Sequence, residues 1–292
     1  MDERPVEATV RRSRHDGDAG RAVKNHEQRA ERADHLRAVA ADVRAQRRRA
    51  NPSSLISNEI ITDALASFLA ECYADDGDAV LDLGAGTKPY ARLYECCFRR
   101  AVSVDVDHSP HDLAKVDAIA DAANLPFADR EFDCVVCTEV LEHCRDPLAV
   151  LSEVRRVLKP GGRVFLTTPF MIGTHESPHD YFRYTCWGIK ELSSRAGFRC
   201  HAVEPRGDRI GVTLLFLLYP MAKMLQRTRH LGRGHFYDAR NPIVQLLVIL
   251  PQRLYLAYWR RRRRAATTSR LGRRMRRMED ATLGYLTHLE AM

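Results

Sequence analysis

The sequence predicts an α/β domain built around a doubly wound, largely parallel sheet of about seven strands, the last of them antiparallel. Three observations carry that reading. From residue 79 onward, short apolar runs alternate with segments of helical period. The first run ends in a Gly84-Ala85-Gly86 turn, where glycine lets the backbone fold tightly and approach a ligand. Acids then stand at the ends of three successive runs, as Asp82, Asp105 and Asp121.

In chain order, residues 1–50 are rich in Arg, Ala, Asp and Glu and poor in large apolar side chains. Such a composition buries too little surface to offset chain entropy, so a disordered charged arm is expected, with a helix near 21–49. The core domain is assigned to 51–209. It opens on "NPSSLISNEIITDALASFLAECY", whose apolar positions 55, 56, 60, 61, 65, 68 and 69 recur at helical spacing. Strands are expected at 79–83, 101–106, 118–122, 132–138 and 162–169. Between the last two, Asp146 is placed to cap a helix with Pro147 in its first turn, and Lys159-Pro160-Gly161 ends it. Thr185 is expected to cap a further helix through Ala196, ahead of a sixth strand at 198–205. A helical insertion is assigned to 210–278 and the final strand to 279–292.

The net charge of +8 is unevenly spread. Residues 51–209 hold 17 Lys+Arg against 25 Asp+Glu, and 210–292 hold 16 against 4. The motif-bearing middle is acidic and the basic excess lies in the flanks, so nucleic acid is the least favoured partner. The eight cysteines, with no secretory leader read ahead of them, fit a reducing cytoplasm. Cys134 and Cys137 form a C-x-x-C inside a strand, where odd spacing sends the thiols to opposite faces. No metal site is expected.

In "VLDLGAGTKPY" (80–90), Pro89 stands where the dinucleotide fingerprint needs its third glycine. Asp105, about twenty residues on, is placed to accept ribose hydroxyls. Acids at successive strand ends without that glycine point to a nucleoside-like ligand lacking a pyrophosphate.

"VLDLGAGT", "SVDVD", "DAANLPFADREFDCVV", "TEVLEHCRDPLAVLSEVRRVLKPGG" and "VFLTTP" together resemble the class I S-adenosylmethionine-dependent methyltransferases, of the type that includes quinone-biosynthesis enzymes. The resemblance covers 80–168 in family order and implies a Rossmann-like fold with S-adenosyl-L-methionine as cofactor. It implies that Asp82, Gly84 and Gly86 cradle the methionine part and Asp105 the ribose, with Ala85 and Val106 alongside. Asp121 and the Ala122 amide would meet the adenine edge, and Thr138 would lie near the sulfonium. "TPFMIGTHESPHDYFRYT", taken with "GTKPYARLY", resembles a narrower subgroup associated with glycan or lipid-linked precursors.

Ligands of open α/β sheets bind outside the carboxyl ends of the strands, so the loop at 175–184 is expected over the transferred methyl. His175 is the leading acid–base candidate, with His143 a rival and Asp180 a further one. Tyr90, His179, Tyr181, Arg183 and Tyr184 are expected to bind the acceptor. Ser177-Pro178-His179-Asp180 also fits a helix start with Asp180 as capping partner. His143 equally fits a hydrogen bond that holds its loop.

The insertion carries apolar runs at 210–225 and 243–259, each interrupted before the ~20 residues a spanning helix needs. With Arg260–Arg264 following, these runs are expected on an anionic membrane surface, or packed as a cap on the sheet or on a second subunit of a homodimer. The function expected is O-methylation of a small or membrane-associated acceptor, such as a glycan, a lipid-linked intermediate or a secondary metabolite. It would take place in the cytoplasm or at the membrane's inner face. The alternatives are a nucleic-acid-modifying methyltransferase using the basic tails and a non-catalytic cofactor-binding module. Against the first, the loop after the fourth strand reads "CTEVLEH" rather than an N/D-P-P-aromatic run, and no Pro-Cys pair is present.

Overall fold

The computed structural model describes residues 15–50, 54–73, 77–227, 242–268 and 281–292. Its strands are β1 (Gly77–Leu83), β2 (Phe98–Asp105), β3 (Ala118–Ile119), β4 (Phe132–Thr138), β5 (Leu158–Pro169), β6 (Phe198–Pro205) and β7 (Gly284–Ala291). They form one sheet in the order β3-β2-β1-β4-β5-β7-β6. β7 runs antiparallel between β5 and β6, as the sequence predicts of the last strand. The strand order reverses between β1 and β4, which opens a crevice at their carboxyl ends.

Period-2 burial sorts the strand residues into two cores. Val80, Cys134 and Val136 face one apolar cluster, while Leu81, Leu83, Val135 and Cys137 face the other. The two cysteines thus point to opposite faces, as their spacing requires. Helix α2 (Leu55–Cys72) covers the first face with its periodic apolar residues, all buried. The short α3 (Ala91–Tyr94) packs beside it. Helices α4 (Pro147–Val157) and α5 (Cys186–Arg195) cover the second face. Asp146 caps α4 by accepting from the Leu148 and Ala149 N–H groups at 3.1 and 3.0 Å, and Thr185 caps α5 through the Gly188 N–H. β3 is shorter than expected because the chain turns away at Asp121, whose Oδ1 accepts from the Ala123 N–H at 2.9 Å.

The helix expected near 21–49 is present, but it is docked on the domain rather than part of a disordered arm. Residues His15–Ala50 form helix α1, and Leu36, Ala40 and Val43 on it are buried in the first core. These residues recur at one-turn spacing, so a narrow stripe within a charged helix is enough to dock it. Arg44 pairs with Asp63 of α2, and Arg92 with Asp42 of α1. Residues 1–14 lie outside the described part.

The insertion is helical: α6 (Arg209–Arg227), α7 (Pro242–Val244), a π turn at Gln245–Ile249 and α8 (Leu250–Thr268). Val212, Val244, Val248, Tyr255, Leu256 and Trp259 are buried in the first core, so much of it is a packed cap. The arginine run differs from the lipid-facing cluster expected. Arg260 donates to Glu59 and Asp63 of α2, Arg262 meets Asp208, and Arg263 meets Glu204. These guanidinium groups fasten α8 to the domain. Among the described residues, no helix is long and apolar enough to cross a membrane. The stretches 228–241 and 269–280 lie outside them.

Candidate active site

A cavity of about 1300 Å³ opens where β1, β2, β4 and β5 end, lined by the loops that follow each strand and by α6. A pocket for one drug-sized ligand measures about 300–1,000 Å³. The space admits two reactants.

One end is built from backbone and carboxylates. Gly84 (φ +67°) and Gly86 (φ +51°) turn the chain out of β1 in the left-handed region that favours glycine. A Cβ on Gly84 would stand 2.3 Å from Val140 Cγ2, so the loops after β1 and β4 meet there. Asp105, buried at the tip of β2, accepts from the Gly86 N–H through Oδ2 at 2.6 Å and from the Val106 N–H through Oδ1 at 2.7 Å. Each carboxylate oxygen keeps a further lone pair, enough for a vicinal diol. Ala85, Val106, Asp121, Ala122 and Thr138 also line this end, with Asp121 exposed. The set fits a nucleoside without pyrophosphate.

Asp82 does not line the cavity. It lies buried behind the glycine turn, where Tyr94 donates to its Oδ2 at 2.6 Å. Burial pushes its pKa up to about 6 against the pull of that hydrogen bond. Its implied contact with a methionine moiety therefore passes to the turn it supports.

The other end holds imidazoles. His143 closes a 3-10 turn, Leu141–His143, directly after β4. Its Nδ1 lies 2.6 Å from the His179 carbonyl oxygen. A carbonyl only accepts, so Nδ1 carries the hydrogen and Nε2 keeps its lone pair. His175 turns its Nδ1 to the Gly173 carbonyl at 3.2 Å, and the two rings stand edge to face with centroids 4.9 Å apart. Both histidines line the cavity, as do Tyr90, His179 and Tyr181. The Tyr90 ring is buried beneath the Arg47 guanidinium at 4.6 Å, and Tyr181 accepts from Arg145 at 3.1 Å.

Asp180, Arg183 and Tyr184 are not cavity residues. Residues 177–180 form a turn rather than the start of a helix. Arg183 instead grips Asp180 with two hydrogen bonds of 2.6 and 2.8 Å and donates to the Ile172 carbonyl, while Asp180 accepts from the His175 N–H at 2.9 Å. The Arg183 guanidinium pulls the Asp180 pKa down to about 2, too low for a base. Tyr184 is buried, and its hydroxyl donates to the Leu141 carbonyl at 3.0 Å. All three hold the loop that carries His175.

Asp180→Asn should loosen that loop by roughly 2 kcal/mol at neutral pH, the worth of its depressed pKa. The sign follows from the depression: the stabilisation is present above the unfolded carboxyl's pKa of about 3.9. It is lost as pH falls through about 2. Amide exchange over 173–183 measures it, and exchange unchanged by the substitution would refute this role.

Sequence reasoning missed several residues here. Arg47 arrives from α1, and Glu139, Glu142, Glu176 and His111 line or adjoin the acceptor end. Glu139 accepts from the fully buried Arg206 at 2.9 Å and from Thr167 at 2.8 Å. The His111 Nε2 lies 3.5 Å from Glu176 Oε1, joining the loop after β2 to the loop after β5. Only the adjacency of Glu142 and His143 in "VLEHC" could have drawn attention to the former.

Residues 81–166 match a family described as a methyltransferase domain. The chain is 36% identical over 118 residues to a ubiquinone/menaquinone biosynthesis C-methyltransferase of Desulfotalea psychrophila, covering 36% of this chain and 48% of that protein. It is 31% identical over 106 residues to a ubiquinone biosynthesis O-methyltransferase of Aeromonas salmonicida, covering 32% and 43%. The match thus spans less than half the length of either relative. Among solved structures, a phosphoethanolamine N-methyltransferase 2 of Haemonchus contortus, in complex with S-adenosyl-L-methionine, superposes with a TM-score of 0.45 at 19% identity, over 78% of this chain and 51% of that one.

Proposed function

We propose that this chain, whose residues 81–166 are a class I methyltransferase domain, moves a methyl group from S-adenosyl-L-methionine to the hydroxyl of a small or membrane-associated acceptor. One observation carries the reading. A single cavity joins Asp105 and the glycine turn at one end to His143 and His175 at the other. The cofactor, when bound, supplies an electrophilic methyl on a good leaving group. The protein's own work is then to align two reactants, which is worth roughly 7–11 kcal/mol. Activating the acceptor oxygen adds about 10²–10⁴ in rate. Asp105 and the Gly84–Gly86 turn hold the nucleoside, and the loop at 172–181 covers the acceptor. The His143 Nε2 lone pair, with His175 beside it, marks where the acceptor oxygen is activated.

The acceptor's class is read from α6. Leu215, Phe216, Tyr219 and Pro220 form an apolar wall of the cavity, and Phe216 and Tyr219 are also exposed, so the wall continues onto the surface. Beyond it, Ile243, Leu246, Leu247, Leu250, Leu254 and Tyr258 are exposed at helical spacing. Such a stripe suits the headgroup region of a membrane, from which an amphipathic acceptor could enter. Transfer of labelled methyl into a lipid extract, a polar extract and total RNA in parallel tests the reading, with label expected in the lipid. Label confined to RNA would defeat it.

Asp105→Ala should weaken binding of S-adenosylhomocysteine by roughly 1.5–3 kcal/mol, the worth of hydrogen bonds to a charged group. That is about tenfold to above a hundredfold in Kd, measurable by calorimetry. Unchanged affinity would remove Asp105 from the nucleoside site.

A further inference from the structure

We infer that Glu142, His143 and His175 form a site for a first-row divalent cation of the zinc type, at the acceptor end of the cavity. Both histidines turn Nδ1 to a backbone carbonyl, His143 to that of His179 and His175 to that of Gly173. The hydrogen on His143 Nδ1 leaves its Nε2 a lone pair, while His175 Nδ1 lies between the Gly173 carbonyl and Arg183 Nη2 at 3.4 Å. Glu142 Oε1 lies 3.8 Å from the first Nε2 and 4.0 Å from the second. The three ligand atoms stand within 4.8 Å of one another. Two imidazole nitrogens and a carboxylate oxygen converge, a donor set that suits a cation at its centre.

A second observation is independent of that spacing. The Glu142 side chain is wholly buried, and neither carboxylate oxygen has a hydrogen-bond partner among the described residues. A buried carboxylate without compensation is costly. The neighbouring acids have partners of their own: Glu139 has Arg206 and Thr167, Glu176 has His111, and Asp180 has Arg183. Glu142 is left facing the two imidazoles.

The chemistry of the set names the class of ion. Two imidazoles and one carboxylate, with coordination positions left over, suit borderline first-row cations. Bonds of about 2.0–2.2 Å set tetrahedral ligand atoms about 3.4 Å apart, so atoms now within 4.8 Å of one another must draw together by up to about 1.4 Å. His175, on a surface loop, is placed to make that move. The carbonyl behind His143 Nδ1 already fixes its tautomer and ring direction, as metal-bound histidines require. The cation's role in turnover rests on the methyl-transfer reading, in which it would bind the acceptor hydroxyl and lower its proton affinity. Its binding does not.

The test is a titration of the metal-stripped full chain with Co²⁺ as spectroscopic probe, followed by displacement with Zn²⁺. One equivalent should bind with visible d–d bands. Affinity should fall at least about tenfold in Glu142→Gln and in His175→Ala, since loss of even an outer-shell partner costs that much. His179→Ala, which keeps its carbonyl, should bind as the parent does. Circular dichroism of each variant confirms that the fold survives. Absence of cobalt bands, or equal affinity in parent, Glu142→Gln and His175→Ala, would overturn the site and leave a proton or a water between the three groups. Because no turnover is read, a chain that binds cobalt but transfers no methyl would defeat only the enzymatic reading.

Discussion

Gly84→Ala is expected to lower stability by roughly 2–5 kcal/mol and to weaken cofactor binding with it. Two costs add. The left-handed backbone at φ +67° is paid for by any residue with a Cβ, at roughly 1–2 kcal/mol. The new Cβ would also lie 2.3 Å from Val140 Cγ2, and overpacking of this kind costs about 1–3 kcal/mol. The chain cannot relieve either cost by moving outward, because the Gly84 and Ala85 N–H groups are both held by the Val104 carbonyl. Any shift must pass into the turn itself and disturb the Gly86 N–H on Asp105. Thermal unfolding and calorimetry with S-adenosylhomocysteine measure the two effects. Adding Val140→Ala should recover the packing part and leave the backbone part, a double-mutant cycle across the strand switch point. A Gly84→Ala protein with parental melting and affinity would show that the two loops do not meet as described.

What was legible in the sequence, and what was not, divides by the range of the interaction. Strands β4 and β6 and the capped start of α4 coincide with the expected residues, because alternation and an Asp-Pro cap are local signals. The positions of Asp105 and the glycine turn were equally readable, since strand ends and the switch point follow from topology. The helix near 21–49 was readable but its docking was not, because Leu36, Ala40 and Val43 are a thin stripe in a charged segment, and only packing against α2 and α3 makes that stripe sufficient. The turn at 177–180 shows the opposite failure. A sound helix-start pattern is overridden once Asp180 finds Arg183 three residues on and the His175 N–H five residues back. Arg260, Arg262 and Arg263 likewise looked free for lipid until Glu59, Asp208 and Glu204 were brought to them from distant parts of the chain. Glu142 could not be ranked from sequence at all, because its importance lies in what does not surround it.

Replacing His143 is expected to cost roughly 10²–10⁴ in turnover while leaving cofactor affinity essentially unchanged. The difficulty is that His143 has two jobs, and alanine removes both. Its Nδ1 hydrogen ties the turn after β4 to the His179 carbonyl, and its Nε2 faces Glu142 and Glu176 at 3.8 Å across the acceptor end. His143→Asn separates the two, because the asparagine amide nitrogen stands as far from Cβ as Nδ1 does and donates in the same direction. It keeps the tether and leaves the Nε2 position without an acceptor. If chemistry at Nε2 matters, whether by taking the acceptor proton or by holding a cation that lowers the acceptor's proton affinity, His143→Asn should be as slow as His143→Ala. It should nevertheless bind S-adenosylhomocysteine like the parent and protect the loop at 173–181 from exchange. Recovery of activity in His143→Asn would make His143 a tether alone and shift the activating role to His175. His175 has its own backbone carbonyl contact and an Nε2 4.0 Å from the same carboxylate. The measured quantity is kcat at saturating cofactor, since a loss confined to KM for the acceptor would report a displaced loop rather than missing chemistry.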